Sequence, residues 1–392
     1  MDIKALAKKY EDYIIERRRY YHTCPELSHE EKETRAQIKK DLEAMGITDI
    51  KEMQTCYGLV ARLHGGKPGK TIAVRADIDA LPVEEATGLP FASKNPGKMH
   101  ACGHDNHIAM LLGAAKILAD VKDELAGDVV FILQPSEEDA TGAKQMIAEG
   151  CLEGVDAIYG AHIWGNFDAP LIDVTPGRRM SSFHTFKITV NGVAAHGSAP
   201  NLGIDAVTAA AAIVNNLQQV ISRQNDPLNP QVLTIGTIHG GSRFNVIANK
   251  VVMEGTCRTF ASGTKLEEQM RKVIEGTAEA LGATATLEDY YYGTTPLVND
   301  NEEMNAIAAE AVKKACGAEC IGTLPTMMAS EDFCWYGEKV PSFFAFIGSR
   351  NKEQGLVYTN HHEKYTPDES VLKNGAAVMA QFAADYLEKY SK

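Results

Sequence analysis

The sequence predicts an α/β fold in which a domain built on a mixed, mostly parallel sheet is interrupted by an inserted ferredoxin-like α+β domain. Three observations carry this expectation. The 392 residues exceed what one hydrophobic core usually organises. Short apolar runs alternate with helical patterns before residue 182, as they do in βαβ units. From about residue 182 the order changes to strand, helix, strand, strand, helix, strand.

In chain order, the first 22 residues read as a helix. Ser28 and Glu31 form a capping box, in which each side chain accepts the other's orphan N–H, and this predicts a second helix ending near Gly46. Apolar runs at 58–63, 71–74, 129–133 and 157–161 read as buried strands, and 108–118 and 143–147 as helices. The inserted unit is expected as strand 184–190, helix 206–221, strands 232–238 and 246–258, helix 266–281 and strand 284–289. Helices at 304–314 and 369–390 and a buried strand at 343–347 then resume the first pattern. The expected boundaries are 1–181 and 293–392 for the discontinuous first domain and 182–292 for the insertion.

Composition removes several classes. Hydrophobic residues make up 44% and charged residues 23%, which fits a globular chain. A formal charge of -13 leaves no basic face for phosphate backbones, so nucleic acid is not an expected partner. Lys4, Lys8 and Lys9 are not followed by an apolar stretch, and no apolar run is long enough for a membrane span, so no membrane partner and a cytoplasmic location are expected. The eight cysteines are scattered rather than packed into a short secreted frame and read as free thiols, including the close pair Cys316 and Cys320.

The chemistry clusters where strands are expected to end. Arg75 to Pro82 (RADIDALP) follows a strand and would place its carboxylates at the carboxyl edge of the sheet, where open α/β folds bind ligands. His100 to His107 (HACGHDNH) packs three histidines, a thiol and a carboxylate into eight positions before a helix, the donor set that divalent transition metals prefer. Gln134 to Glu138 (QPSEE) puts two acids directly after a strand, one available to a metal and one for proton transfer. Gly160-Ala161-His162 closes another apolar run with a histidine, and His361-His362 lies far along the chain. Taken singly, a histidine at a strand end is more often structural, and His361-His362 reads equally well as surface polar residues.

Together these segments resemble the M20 family of metallopeptidases, in particular its aminoacylase-like branch of N-acyl-amino acid and indole-acetyl-amino acid hydrolases. The resemblance begins at Pro25-Glu26-Leu27-Ser28 and runs through the motifs above. It continues through Asn245-Val246-Ile247, Gly255 to Arg258, Ser330 to Phe333 and His361, ending at Asp368-Glu369. It implies a catalytic domain with two metals, and a lid domain that supports a homodimer. Carried over residue by residue, it implies metal ligands Cys102, His104, Glu138, His162 and His361, a general base Glu137, and Asp79 as the acid that fixes ligand geometry. His361 is preferred to His362 because the family places an aromatic residue four after its ligand and an acid seven after, as Tyr365 and Asp368 stand here. In the lid, His196, Asn245 and Arg258 are implied substrate contacts. Two departures concern pocket shape alone: Ala161 to Gly165 (AHIWG) replaces the family's Leu-His-Val-Trp-Pro, and Ser136 stands where Ala is common.

The implied substrate is an N-acyl-amino acid or small peptide with a free carboxylate, cut by metal-activated water. A thiolate ligand argues against Mg and Ca, leaving Mn, Zn, Co or Ni. A dipeptidase, a hippurate-type hydrolase, an N-acetyl-diaminopimelate deacetylase and a metal-binding module without turnover stay open beside this reading.

Overall fold

A computed structural model describes residues 1–261 and 263–391; Ser262 and Lys392, which fall within the expected segments 182–292 and 293–392, lie outside the described residues. The chain forms two compact units, one comprising Met1–Gly177, Asn299–Pro325 and Asp332–Lys392, the other Arg178–Val298 and Thr326–Glu331.

The first unit is organised by an eight-stranded sheet in the order Asp49–Glu52, Leu59–Leu63, Ala126–Gln134, Lys67–Asp77, Ala157–Asp168, Ser342–Arg350, Ile172–Asp173, Ile321–Gly322. The four central strands from Ala126–Gln134 to Ser342–Arg350 are mutually parallel, and the flanking pairs bring in antiparallel neighbours. Continuous burial from Val129 to Gln134 and from Thr71 to Asp77 explains why these strands read as apolar runs without alternation. The helix His104–Asp120 packs on Lys67–Asp77 and against Leu372–Lys389, which in turn meets Glu302–Ala315. Among the described residues no helix is long and apolar enough to cross a membrane.

Three local expectations fail. The first 22 residues form two helices, Ile3–Lys9 and Glu11–Thr23, separated at Tyr10. At this corner the Tyr10 hydroxyl and the Lys9 ammonium both bond Asp120. The Ser28/Glu31 capping box does not form. The helix begins at Lys32, its first-turn N–H groups at Glu33 and Thr34 donate to Glu26 (3.2 and 2.7 Å), and Ser28 and Glu31 turn elsewhere. Likewise His162 does not close its strand but sits within it, since pairing with Ser342–Arg350 carries that strand to Asp168. The short strands at Asp49–Glu52, Ile172–Asp173 and Ile321–Gly322 were not anticipated, because two to four residues leave no apolar run to read.

The second unit is a four-stranded antiparallel sheet in the order Thr284–Thr294, Ser182–Asn191, Lys250–Thr259, Gln231–Gly240. Helices Ala206–Gln219 and Lys265–Ala280 supply Ala209, Ile213, Leu217, Met270 and Ile274 to a core with Ile188, Val190 and Met253. This is the β-α-β-β-α-β pattern. Asp205 caps the first of these helices through the N–H groups of Val207 and Thr208. The strand expected from 246 begins only at Lys250; Val246 instead bridges His196 in a loop.

Candidate metal centre

Four segments of the first unit converge at the carboxyl edge of its parallel strands. Asp77 ends one strand and Asp79 follows it; Ser136, Glu137 and Glu138 follow the next; His104 opens a helix; His361 arrives from a loop after Ser342–Arg350. Gly103 makes the turn into the helix with φ +98°, and a Cβ there would stand 2.6 Å from Ile163 Cγ2, so glycine is required by both backbone and space. Ser136 (φ 54°) and His361 (φ 69°) also hold left-handed backbone, an uncommon and strained choice for residues with side chains.

The five sequence-implied donors are brought together. Cys102 Sγ lies 3.4 Å from His162 Nε2 and 3.2 Å from His361 Nε2. Glu138 Oε1 is 3.7 Å from His361 Nε2 and 3.9 Å from His104 Nε2. Donor atoms of Cys102, His104 and His162, of Cys102, Glu138 and His361, and of His104, Glu137 and Glu138 lie within 4.8 Å of one another in each group. The outer nitrogens are anchored: His104 Nδ1 bonds the Asp79 carbonyl (2.9 Å) and carboxylate (3.2 Å), and His162 Nδ1 donates to the Ile163 carbonyl (2.6 Å). Both rings therefore present Nε2 inward. Glu138 Oε1 and His104 Nε2 are buried with no hydrogen-bond partner, the condition a cation between them would relieve.

Asp79 does more than face His104. Its Oδ2 also accepts from the Ser28 hydroxyl (2.7 Å) and the Glu138 N–H (3.0 Å), tying three segments to one carboxylate. Glu31, released from the helix end, accepts the Ser136 N–H at 2.8 Å.

Asp77 and His107 were not singled out as site residues. Their signal was present, since Asp77 alternates with Asp79 and His107 stands one helical turn from His104. His107 is not a free donor, however: its Nδ1 pairs with Asp77 Oδ1 and its Nε2 accepts the Ile163 N–H at 2.8 Å, which fixes the tautomer.

The buried acids and imidazoles of the cluster shift one another's protonation. Burial opposes ionisation of Asp77, but His104, His107 and Arg75 outweigh it and hold the carboxyl well below its usual range. Burial also disfavours a charged His104, yet Asp77 and Asp79 raise it to about 10. Burial lifts Glu138 to about 7 against the pull of His104. Burial, then Glu138 and Glu137, push the Cys102 thiol up, while burial and His107 push His162 down. A divalent cation reverses the first of these, because a coordinated thiol is deprotonated outright.

In the second unit, His196 and Asn245 are neighbours: the Gly197 N–H donates to the Asn245 carbonyl (2.8 Å) and His196 bridges Val246. His196 Nδ1 accepts from the Ser198 N–H and hydroxyl (3.1 and 2.7 Å). Arg258 is not brought to them. It lies eight residues along the strand from Lys250, about 26 Å at roughly 3.3 Å per residue, with its guanidinium over the Phe183 ring.

A fold of this kind, with thiol, imidazole and carboxylate donors gathered at the strand ends, defines a metallohydrolase class, and comparison with known proteins agrees. Residues 73–385 match the model of Peptidase family M20/M25/M40, and the chain belongs to that family. It is 37% identical to Thermostable carboxypeptidase 2 of Saccharolobus solfataricus, over 99% of this chain and 98% of the relative. It is 38% identical to N-acetylcysteine deacetylase of Bacillus subtilis, over 97% and 98%. Among solved structures, the Bacillus subtilis YXEP protein, described as a dinuclear metal binding peptidase from the M20 family, superposes with a TM-score of 0.86 at 35% identity, covering 97% of this chain and 99% of that one.

Proposed function

We propose that this M20 hydrolase cleaves the amide bond of N-acyl-amino acids or related small amides with a free carboxylate. The carrying observation is the convergence of Cys102, His104, Glu138, His162 and His361 beside Glu137, with buried, unpartnered His104 Nε2 and Glu138 Oε1 facing one another. These five would hold two divalent transition-metal ions; the thiolate favours Mn, Zn, Co or Ni over Mg and Ca. Such ions, when bound, lower the pKa of water toward about 7 and supply positive charge for a developing oxyanion. Glu137 then takes the proton from the attacking water and returns it to the departing amine. Asp79 keeps His104 oriented. The relative named as an N-acetylcysteine deacetylase supports acyl-amino acids; the one named as a carboxypeptidase supports a second reading as a peptidase at a free carboxyl terminus.

The segment 182–292 is proposed as a lid and dimerisation domain between catalytic segments 1–181 and 293–392, with His196, Asn245 and Arg258 as substrate contacts. Its edge strand Gln231–Gly240 exposes Val232 and Ile238, a face suited to a second copy. A cytoplasmic location is supported by eight free cysteines. The deciding experiment is a hydrolysis panel of N-acetyl-, N-benzoyl- and N-fatty-acyl-amino acids and dipeptides with Mn or Zn added. Turnover of acyl-amino acids is expected; turnover of dipeptides alone favours the second reading, and inertness toward all of them defeats both.

A further inference from the structure

Arg75 and Asp332 form an ion pair with both side chains fully buried, and neither belongs to the donor set. A pair so placed survives desolvation only when its hydrogen-bonding groups are met. Arg75 donates from Nη1 to Asp77 (2.6 Å), from Nη2 to Asp332 (3.0 Å) and from Nε to the Gln134 amide oxygen (2.8 Å). Asp332 accepts the Gln134 amide on both oxygens (2.8 and 2.9 Å) and the Ala143 N–H (3.0 Å). Its own N–H points at Glu137 Oε1, 3.4 Å away. Gln134 ends the strand and Ala143 lies in the first turn of the next helix, so one carboxylate holds both ends of the loop that carries Glu137 and Glu138. That loop also folds on itself through Gly142 N–H to Ser136 carbonyl (3.0 Å) and Ala140 N–H to Glu137 carbonyl (2.8 Å).

We propose that Asp332, neutralised by Arg75, is a positioning residue that clasps the 135–142 loop and fixes where Glu137 stands relative to the donor cluster. The inference rests on the amidohydrolase reading for its kinetic consequence, though not for the clasp itself. The physical reason is tolerance: a misplacement of about 1 Å in a reacting group can cost on the order of 100-fold in rate. A carboxylate is required because Asp332 receives donors from Arg75, Gln134 and Ala143. An asparagine would turn an NH2 toward one of them and open the clasp with almost no change in volume.

The test is Asp332→Asn, compared with wild type by hydrogen exchange of the 135–142 amides, bound metal per chain, kcat and KM. Expected are faster exchange in that loop, metal content at the wild-type level, a kcat lower by about 10- to 100-fold and KM within about twofold. A purely structural role would lower Tm and leave kcat per metal-loaded molecule unchanged. Should Asp332→Asn not fold, Gln134→Met releases the strand end of the loop while the ion pair stands, and the same readouts apply. Unchanged loop exchange overturns the proposal, as does a kcat loss that vanishes when normalised to bound metal. If wild type proves inert on every amide, the functional reading fails, and loop exchange alone then upholds or overturns the clasp.

Discussion

Glu137 and Glu138 are adjacent in the chain, yet the fold gives them different neighbours. Glu138 Oε1 faces the Nε2 atoms of His104 and His361, whereas Glu137 Oε1 meets the Asp332 N–H. Glu137→Gln should therefore lower kcat by about 100-fold or more while bound metal, measured by elemental analysis, stays at the wild-type level. Loss of metal in that variant would exchange the roles of the two acids. Glu31 offers a prediction in stability. Burial, with Asp79 adding, raises its carboxyl from 4.5 to about 7. The folded protein thus holds a proton that the unfolded chain releases near 4.5, and stability falls as pH rises from there through about 7. Glu31→Gln keeps an acceptor for the Ser136 N–H and removes the titration. Its Tm gain over wild type should be larger at pH 8 than at pH 5; an equal difference at both would contradict this account.

At the scale of elements, the turn from Cys102 to His104 is the most constrained. Gly103 holds left-handed backbone and a Cβ there would stand 2.6 Å from Ile163 Cγ2, which leaves no space for a methyl group. Gly103→Ala should destabilise the protein by about 1 kcal/mol or more in urea unfolding. It should also reduce bound metal, because Cys102 and His104 flank the displaced residue. Wild-type stability would mean that the helix start shifts freely, against the close packing seen here. The helix at Lys32 shows how such a start can be misread. The Ser28/Glu31 spacing is a sound local signal, but Asp79 and Ser136 offer those side chains better-buried partners, and Glu26 takes over the first-turn N–H groups.

For the whole molecule, the proposed ions would join donors 259 positions apart in sequence, Cys102 to His361, within one unit. Ligands that bind only the folded state stabilise it by mass action, about 2.7 kcal/mol at a concentration 100 times Kd. Exhaustive chelation should lower Tm in calorimetry and abolish activity, and added Mn or Zn should restore both. A Tm indifferent to chelator would show that the cluster is stable without a cation.

The sequence by itself determined the kinds of element and the βαββαβ unit, and its family resemblance singled out Cys102, His104, Glu138, His162 and His361 as candidate ligands. Periodicity and donor type are properties of neighbouring residues and survive in one dimension. Only the tertiary structure decided that His107 is committed to Asp77 and that Arg75 and Asp332 bind the loop of Glu137. It also decided that Arg258 stands apart from His196. Each of these is a choice between a local partner and a distant one, and burial favours whichever partner leaves fewer polar groups unpaired. That balance depends on what the fold places alongside, which residue spacing along the chain does not record.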